Sequence, residues 1–452
     1  MKKFLSKLST THMIMLSFLI AIIVGSFLLS LPFCSAKDGG VPYIDALFTA
    51  TTSICVTGLV TLPTVTTWSV PGQIIILFLI QIGGLGIITI MSGLFISFRR
   101  RLGLKDRLLI QDAFNLNTLS GIVRFISKVI KGTFIVEGVG ALLYMTVFIP
   151  EFGARGIWIS IFNSISAFCN AGIDIISENS LCEHALNPMV NVVTSLLVIL
   201  GGIGYVVWWD VIRVSRKFPE KKLRCFSLLT LHSKIALSAT AVLLAAGTAI
   251  FLVFEYNNPL TIGNMSLWDK LQVSFFQSMT TRTAGFASVP QQNLTNASSV
   301  FALLLMFIGG SPVGTAGGVK TVTVVVLFFS AMCAIKSKND LTLFNRRIAK
   351  EAVSKAAAVV IVSFMIMFIS TVLLSAVTDA PPLDIAYETV SATATVGLTR
   401  NLTPGLNVWG KLIIIATMYL GRVGPISLLI AFKIKKNKEN SIKDPVERIS
   451  IG

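Results

Sequence analysis

Thr52–Thr61 reads TSICVTGLVT. It lies between two long apolar runs, yet it is short, rich in hydroxyl and β-branched residues, and turns around Gly58 with no charge beside it. Its kind recurs: SAFCNAGIDI begins at Ser166, TTRTAGFASV at Thr280 and SATATVGLTR at Ser391. The four glycines, Gly58, Gly172, Gly285 and Gly397, are 114, 113 and 112 residues apart, close to a quarter of the 452-residue chain. An apolar residue follows each (Leu59, Ile173, Phe286, Leu398), and an aromatic stands ten residues before each (Phe48, Phe162, Phe275, Tyr387). A fixed period divides a chain into structural copies, here expected at 1–110, 111–225, 226–340 and 341–452. A glycine cluster follows 24 to 29 residues after each turn: GGLG at Gly83, GGIG at Gly201, GGSPVGTAGG at Gly309 and GRVG at Gly421. Small residues on spanning helices let backbones approach closely, which accounts for Gly83 and Gly201 as packing positions.

The composition sets the solvent. The chain is 54% hydrophobic and 13% charged, about half the charge of an ordinary soluble protein, and its mean hydropathy is +0.79. Runs of 20 or more apolar residues recur, each long enough to cross a bilayer, so the chain is a polytopic membrane protein. Of 38 Lys and Arg, 30 fall in Lys2 to Lys7, Arg99 to Lys131, Arg213 to Lys234, Lys336 to Lys355 and Lys433 to Arg448. Only six, Lys37, Arg155, Lys270, Arg282, Arg400 and Lys411, fall in the alternate connections. That asymmetry is the positive-inside pattern. It puts both termini in the cytoplasm and explains the net charge of +17 without nucleic acid. The run Met13 to Phe33 is too long for a signal-peptide core and reads as a retained first helix. Six cysteines without CxxC spacing and three scattered histidines predict neither a disulfide framework nor a zinc site.

Eight segments can span: Met13–Phe33, Gly72–Phe98, Phe125–Ile149, Met189–Ile212, Ser233–Phe254, Val300–Ser330, Ala356–Val377 and Val408–Phe432. Between the members of each pair lies a shorter, semi-polar segment: Tyr43–Val56, Gly156–Cys169, Leu267–Thr281 and Leu383–Ala394. A helix of that length measures ~20 Å and cannot cross ~30 Å of hydrocarbon. It can dip in and return, provided protein surrounds its irregular end. The fold expected is therefore all-α and polytopic, with four tandem helix–pore-helix–helix repeats. Each repeat crosses twice, so successive repeats enter with one orientation and can surround one axis. Inverted repeats, the common carrier plan, would need an odd number.

Four extended turns at one axis present rings of carbonyl oxygens to a dehydrated cation, as potassium filters do. Glycine supplies the φ values that let consecutive carbonyls point one way and leaves no side chain in the passage. The flanking residues, Val56, Thr57, Asn170, Ala171, Thr283, Ala284, Thr395 and Val396, are uncharged, so backbone oxygens should dominate; K+ is expected on the carbonyls of Thr57, Asn170, Thr283 and Thr395. The short helices aim the negative ends of their dipoles at the same centre.

The series VTGL, NAGI, TAGF and TVGL on eight spans resembles the Trk/Ktr/HKT superfamily of potassium transporters, and within it the Ktr-type membrane subunit, KtrB. The resemblance covers essentially the whole chain. It implies a bacterial inner-membrane, multi-pass subunit that forms homodimers and associates with a cytoplasmic nucleotide-binding regulator of the KtrA kind. Glycine at all four anchors accompanies potassium preference in that family; serine in the first repeat accompanies sodium conduction.

IGGSPVGTAGGVKT, Ile308–Thr321, interrupts the sixth span. Five glycines and Pro312 do not sustain a continuous helix, and unwound backbone at that depth must line a cavity or pack in protein. The resemblance makes its residues (Gly309, Gly310, Ser311, Pro312, Gly314, Thr315, Ala316, Gly317, Gly318 and Lys320) an intramembrane gating loop; a kink without a gating role is the alternative. Arg422, in the last span, should face protein or water. It is either a structural cation held by backbone carbonyls or, as in the family, a positive charge that belongs to the gate. Gly314–Thr321 falls short of a phosphate-binding loop because Val319 replaces a glycine. Arg282 is expected to brace the third turn through Asp174, Glu178 or Glu388, and Glu137 to pair with a neighbouring helix.

Three function classes remain. A potassium pore subunit needs no ATPase motif, since a unit charge gains ~2.3 kcal/mol per 100 mV, roughly 50-fold accumulation. A sodium-coupled secondary carrier would want a symmetric pair of broken spans, and the sequence offers one. A membrane-embedded enzyme would want clustered catalytic residues, and none are visible. No cofactor is expected in the chain; K+ is the transported ion and Na+ a candidate activator. The basic cytoplasmic surface suits both a docked regulator and anionic lipid.

Overall fold

The computed structural model describes residues 10–36, 39–87, 89–90, 92, 121–217, 225–337 and 340–424. The far ends of the second and eighth expected spans, and the basic runs at Lys2–Lys7, Arg99–Arg107 and Lys433–Arg448, lie outside them.

The first repeat comprises α1 (Thr10–Leu29), α2 (Tyr43–Cys55) and α3 (Val70–Leu85). The second has α4 (Ile122–Phe152), α5 (Arg155–Cys169) and α6 (Pro188–Gly202), with α7 (Tyr205–Ser215) beyond a bend. The third has α8 (Leu231–Glu255), α9 (Leu267–Thr280), α10 (Asn296–Phe307) and α11 (Thr321–Ile335). The fourth has α12 (Lys350–Ser375), α13 (Pro382–Ala394) and α14 (Val408–Val423). A small antiparallel ladder, β1 (Thr342–Leu343) with β2 (Arg346–Arg347), joins α11 to α12.

Local chemistry explains these boundaries. The helix that follows each glycine turn starts at a capping side chain: Ser69 accepts from Gly72 N, Asn187 from Met189 N, Thr295 from Ser298 N and Asn407 from Gly410 N. Such caps satisfy amides that the first turn leaves orphaned. The short helices are rich in buried hydroxyls, which would be costly in an apolar core. Many bond back one turn, as Thr51 does to Leu47 O at 2.8 Å and Ser160 to Gly156 O at 2.7 Å.

Among the described residues, α1, α4, α8 and α12 are long and apolar enough to cross a membrane, and α6 with α7 makes a fifth if the bent pair is one span. The expected continuous second and fourth spans are corrected here, and the eighth is described only to Gly424. α3 ends before Gly86 (φ 83°), α6 bends by 100° into α7 at Gly204 (φ 93°), and α14 ends before Gly424 (φ 86°). A positive φ with an extended ψ is open to glycine and incompatible with a continuing helix. Among the described residues the interruption at 308–320 is thus joined by breaks at Gly86 and Gly204, and is not the single broken span that the sequence displayed.

The repeats close into a ring. The helix after each turn packs against the short helix of the next repeat: α3 on α5, α6 on α9, α10 on α13 and α14 back on α2. Polar staples cross every seam. Trp158 donates to Gln73 Oε1 at 2.8 Å, and Leu181 N to Ala287 O at 3.0 Å. Arg400 reaches Ser299 Oγ at 2.6 Å, and Lys411 pairs with Asp45 at 2.5 Å.

Candidate functional site

The four glycine turns meet at the centre of this ring. Each contains two left-handed residues two apart: Val56 and Gly58, Asn170 and Gly172, Thr283 and Gly285, Thr395 and Gly397. This alternation lets successive peptide groups present their carbonyls to one side. Asn170 adopts it readily, but β-branched Val56, Thr283 and Thr395 at φ 54°, 65° and 51° are strained, at a cost of about 1–3 kcal/mol each.

The glycines interlock in cyclic order. A Cβ on Gly58 would lie 2.6 Å from Ala171 O, one on Gly172 would lie 2.6 Å from Ala284 O, and one on Gly285 would lie 2.6 Å from Val396 O. One on Gly397 would fall on Thr57 O. The carbonyls of Thr57, Ala171, Ala284 and Val396 therefore form one level. The positions equivalent to Asn170, Thr283 and Thr395 include Val56, and Thr57 belongs to the neighbouring level. The four residues expected to share an ion thus span two levels.

A hydroxyl that sequence reading left unassigned holds each turn. Gly58 N donates to Thr52 Oγ1 and Gly397 N to Ser391 Oγ, each at 3.0 Å. Ser166 donates to Ile173 O and Thr280 to Phe286 O, each at 2.5 Å. These hydroxyls stand six residues before the glycine in three repeats and five before it in the third, where α9 ends earlier. The same offset corrects the aromatic series. Phe48, Phe162 and Tyr387 are fully buried, but Phe275 is 37% exposed and Phe276 takes the buried place. In the third repeat one residue fewer separates the buried aromatic and the bracing hydroxyl from the glycine, so its helix is rotated by ~100° relative to the turn.

The glycine clusters seat the short helices. Gly83, Gly201 and Gly421 pack against the carbonyls of Ile54, Phe168 and Thr393, each four residues before its turn glycine. In the third repeat residues 308–320 leave the helix line and pass next to the ring. Gly309 N donates to Val319 O at 2.9 Å and Thr321 N to Gly310 O at 3.0 Å, which pins the loop at its base. Ser311 N reaches Gly202 O at 2.8 Å, Tyr205 N reaches Val313 O at 3.0 Å, and Gly317 abuts Thr395 Oγ1. Lys320 donates to Ala316 O at 2.6 Å, inside its own loop.

Arg422 donates to Thr315 O at 2.7 Å and to Gly83 O. It is a half-buried cation held by carbonyls, as the structural alternative expects, and one of those carbonyls belongs to the loop. Glu137 pairs with a neighbouring helix as expected: Gln81 of α3 donates to both its oxygens, at 3.1 and 3.2 Å. Arg282 departs from expectation. Its recorded partner is Thr240 Oγ1 at 3.4 Å, and Nε has none. Asp174 instead accepts from Ile176 N, and Glu388 accepts from Thr399 and Thr403. The reason is direction: the shortened third turn sends the Arg282 side chain toward α6 and α8, where it lines a small cavity with Gly202 and Gly310. Among the described residues there is no metal-ligating cluster, and the six cysteines are free.

Residues 6–444 match the TrkH family, described as cation transport proteins. The chain is 38% identical to the potassium/sodium uptake protein NtpJ of Enterococcus hirae, covering 100% of this chain and 99% of that one. It is 37% identical to the Ktr system potassium uptake protein B of Bacillus subtilis, covering 97% and 95%. Among solved structures, the potassium transporter TrkH from Vibrio parahaemolyticus superposes with a TM-score of 0.73 at 15% identity, over 92% of this chain and 84% of that one. That likeness is one of fold.

Proposed function

The chain belongs to the TrkH family of cation transport proteins, and from that premise we propose that it is the potassium-translocating pore subunit of a bacterial Ktr-type uptake system. The family is one of transporters rather than enzymes, and the apolar helices make the chain a multi-pass membrane protein. The observation that carries the reading is the cyclic contact of Gly58, Gly172, Gly285 and Gly397 with the carbonyls of the next turn.

In this reading each repeat, 1–110, 111–225, 226–340 and 341–452, contributes one quarter of a selectivity filter. A K+ ion exchanges water for the carbonyls of Val56, Asn170, Thr283 and Thr395 and of Thr57, Ala171, Ala284 and Val396. Sodium is discriminated against because the number and field of those dipoles suit the larger ion. The C-terminal ends of α2, α5 and α13 add favourable potential. Loop 308–320, with Gly309 to Lys320, and Arg422 form the gate. The membrane potential drives uptake, both termini are cytoplasmic, and the chain works as a homodimer with a KtrA-like nucleotide-binding regulator; the relatives' names as components of a Ktr system support the presence of a further subunit. Na+ acts as an activator rather than as a coupled ion.

Rubidium flux into proteoliposomes, with sodium and lithium as competitors, tests this. A potential-driven flux that saturates at high turnover with no fixed sodium stoichiometry is expected. Obligatory one-to-one sodium coupling would replace the pore by a carrier.

A further inference from the structure

Thr315 has every polar atom engaged, each with a different part of the ring. Its N–H donates to Gly201 O at 3.1 Å on α6, and its carbonyl accepts from Arg422 at 2.7 Å on α14. Its hydroxyl lies 3.1 Å from Phe168 O and 2.9 Å from Asn170 Oδ1. Phe168 is in the last turn of α5, and Asn170 is the left-handed residue (φ 60°) that starts the second glycine turn. Phe168, Asn170 and Thr315 are all buried.

The hydroxyl contact is chemically selective. A hydroxyl has one proton and two lone pairs. As placed, its proton is shared between Phe168 O and Asn170 Oδ1, while Asn170 Nδ2 has no partner. With the amide turned over, Nδ2 donates to Thr315 Oγ1 and the hydroxyl proton goes wholly to Phe168 O. In both arrangements Thr315 Oγ1 ties the loop to the end of a short helix and to the first residue of a turn. Valine at 315 would keep the shape and leave buried Phe168 O and the Asn170 amide with one partner fewer, a costly loss in a dry site. The neighbouring loop residue Gly317 packs on Thr395 in the fourth turn, but it brings no hydrogen-bonding side chain.

We propose that the Thr315 hydroxyl is a latch coupling loop 308–320 to the second glycine turn, so that the position of the loop sets the conformation, and hence the ion preference, of the filter. This rests on the pore reading given above. Thr315 is a positioning residue: it acts through Asn170 and Phe168 O. When the loop leaves, Phe168 O and Asn170 lose a partner together, and the second turn is left with its Ser166 brace alone.

The test uses the full-length chain in proteoliposomes without any cytoplasmic partner, with Thr315→Val, Thr315→Ser and Asn170→Ala. Thr315→Val should raise basal rubidium flux by about five- to tenfold and lower the preference for rubidium over sodium by about threefold. Thr315→Ser should match the parent in both. Thr315→Val combined with Asn170→Ala should do no more to preference than either alone. Amide hydrogen exchange gives a readout independent of transport: Thr315→Val should speed exchange both in residues 308–320 and in 170–173. A Thr315→Val protein with raised flux but unaltered preference, or with faster exchange confined to the loop, would overturn the coupling. So would a Thr315→Ser protein as altered as the valine form, because packing would then be the cause. Absence of rubidium flux from the parent would sink the pore reading instead, and the exchange experiment would still judge the latch.

Discussion

Gly397 and Thr57 are neighbours although one lies in the last repeat and the other in the first. A Cβ on Gly397 would fall on Thr57 O and lie 2.8 Å from Gly58 Cα. This contact closes the ring, and with it three like contacts place the four turns in equivalent settings. A ring of this kind tolerates no added atom, and that gives the first prediction.

Gly58→Ser should relax discrimination against sodium. The new Cβ would crowd Ala171 O, and φ 98° is a conformation that serine adopts poorly. The ratio of rubidium to sodium permeability in proteoliposomes should fall by about tenfold, roughly 1.4 kcal/mol of lost preference. Unchanged selectivity would remove Gly58 from the ion path.

The rotated third short helix predicts an asymmetry between adjacent phenylalanines. Phe276→Ala should destabilise the protein by about 3–5 kcal/mol, the usual cost of emptying a fully buried aromatic site. Phe275→Ala, at a position 37% exposed, should cost about 1 kcal/mol or less. Thermal unfolding in detergent decides; equal losses would restore the uniform ten-residue spacing.

Arg400, paired with Asp384 of its own repeat at 2.6 Å, joins the fourth repeat to the third through Ser299 at 2.6 Å and Gln291 O at 3.0 Å. Both charged groups are mostly, not fully, shielded. Arg400→Ala should therefore lower stability by about 2 kcal/mol, less than a fully buried pair would. Arg400→Lys should recover only part, since one ammonium does not reproduce the forked geometry. A lysine form as stable as the parent would reduce the site to simple charge.

Asp174 stands two residues past Gly172, in the connection to α6. Burial pushes its carboxyl up to about 6, despite hydrogen bonds from Ser180, Ile176 and Ser177 and the nearby His184. At pH 7.5 it is ionised and adds negative potential beside the second turn. At pH 5.5 it is mostly protonated, and rubidium uptake at low concentration should fall by about two- to threefold. Unfolding of this group's making is not the cause. A carboxyl whose folded pKa is raised binds its proton more tightly when folded, so stability rises as pH falls through 6. Asp174→Asn should flatten the profile; an unchanged acid limb would assign it to another group.

The sequence by itself determined the fourfold recurrence of the glycine motif, the apolar composition of a multi-pass membrane protein, the short semi-polar helices and the positions of the turn glycines. These are properties of local composition, repeated at a distance that the chain itself counts. It also carried the one-residue shortening of the third repeat, since Thr280 stands five residues before Gly285 while Thr52, Ser166 and Ser391 stand six before theirs. Only the tertiary structure decided that Phe276 replaces Phe275, that Arg282 turns away from the carboxylates, that α3 and α6 break at Gly86 and Gly204, and that Arg422 and Thr315 meet. Each of these depends on which face a helix turns to neighbours a hundred or more residues away. Helical periodicity cannot specify that for a segment apolar on every side, because in lipid the outer face is as hydrophobic as the inner one.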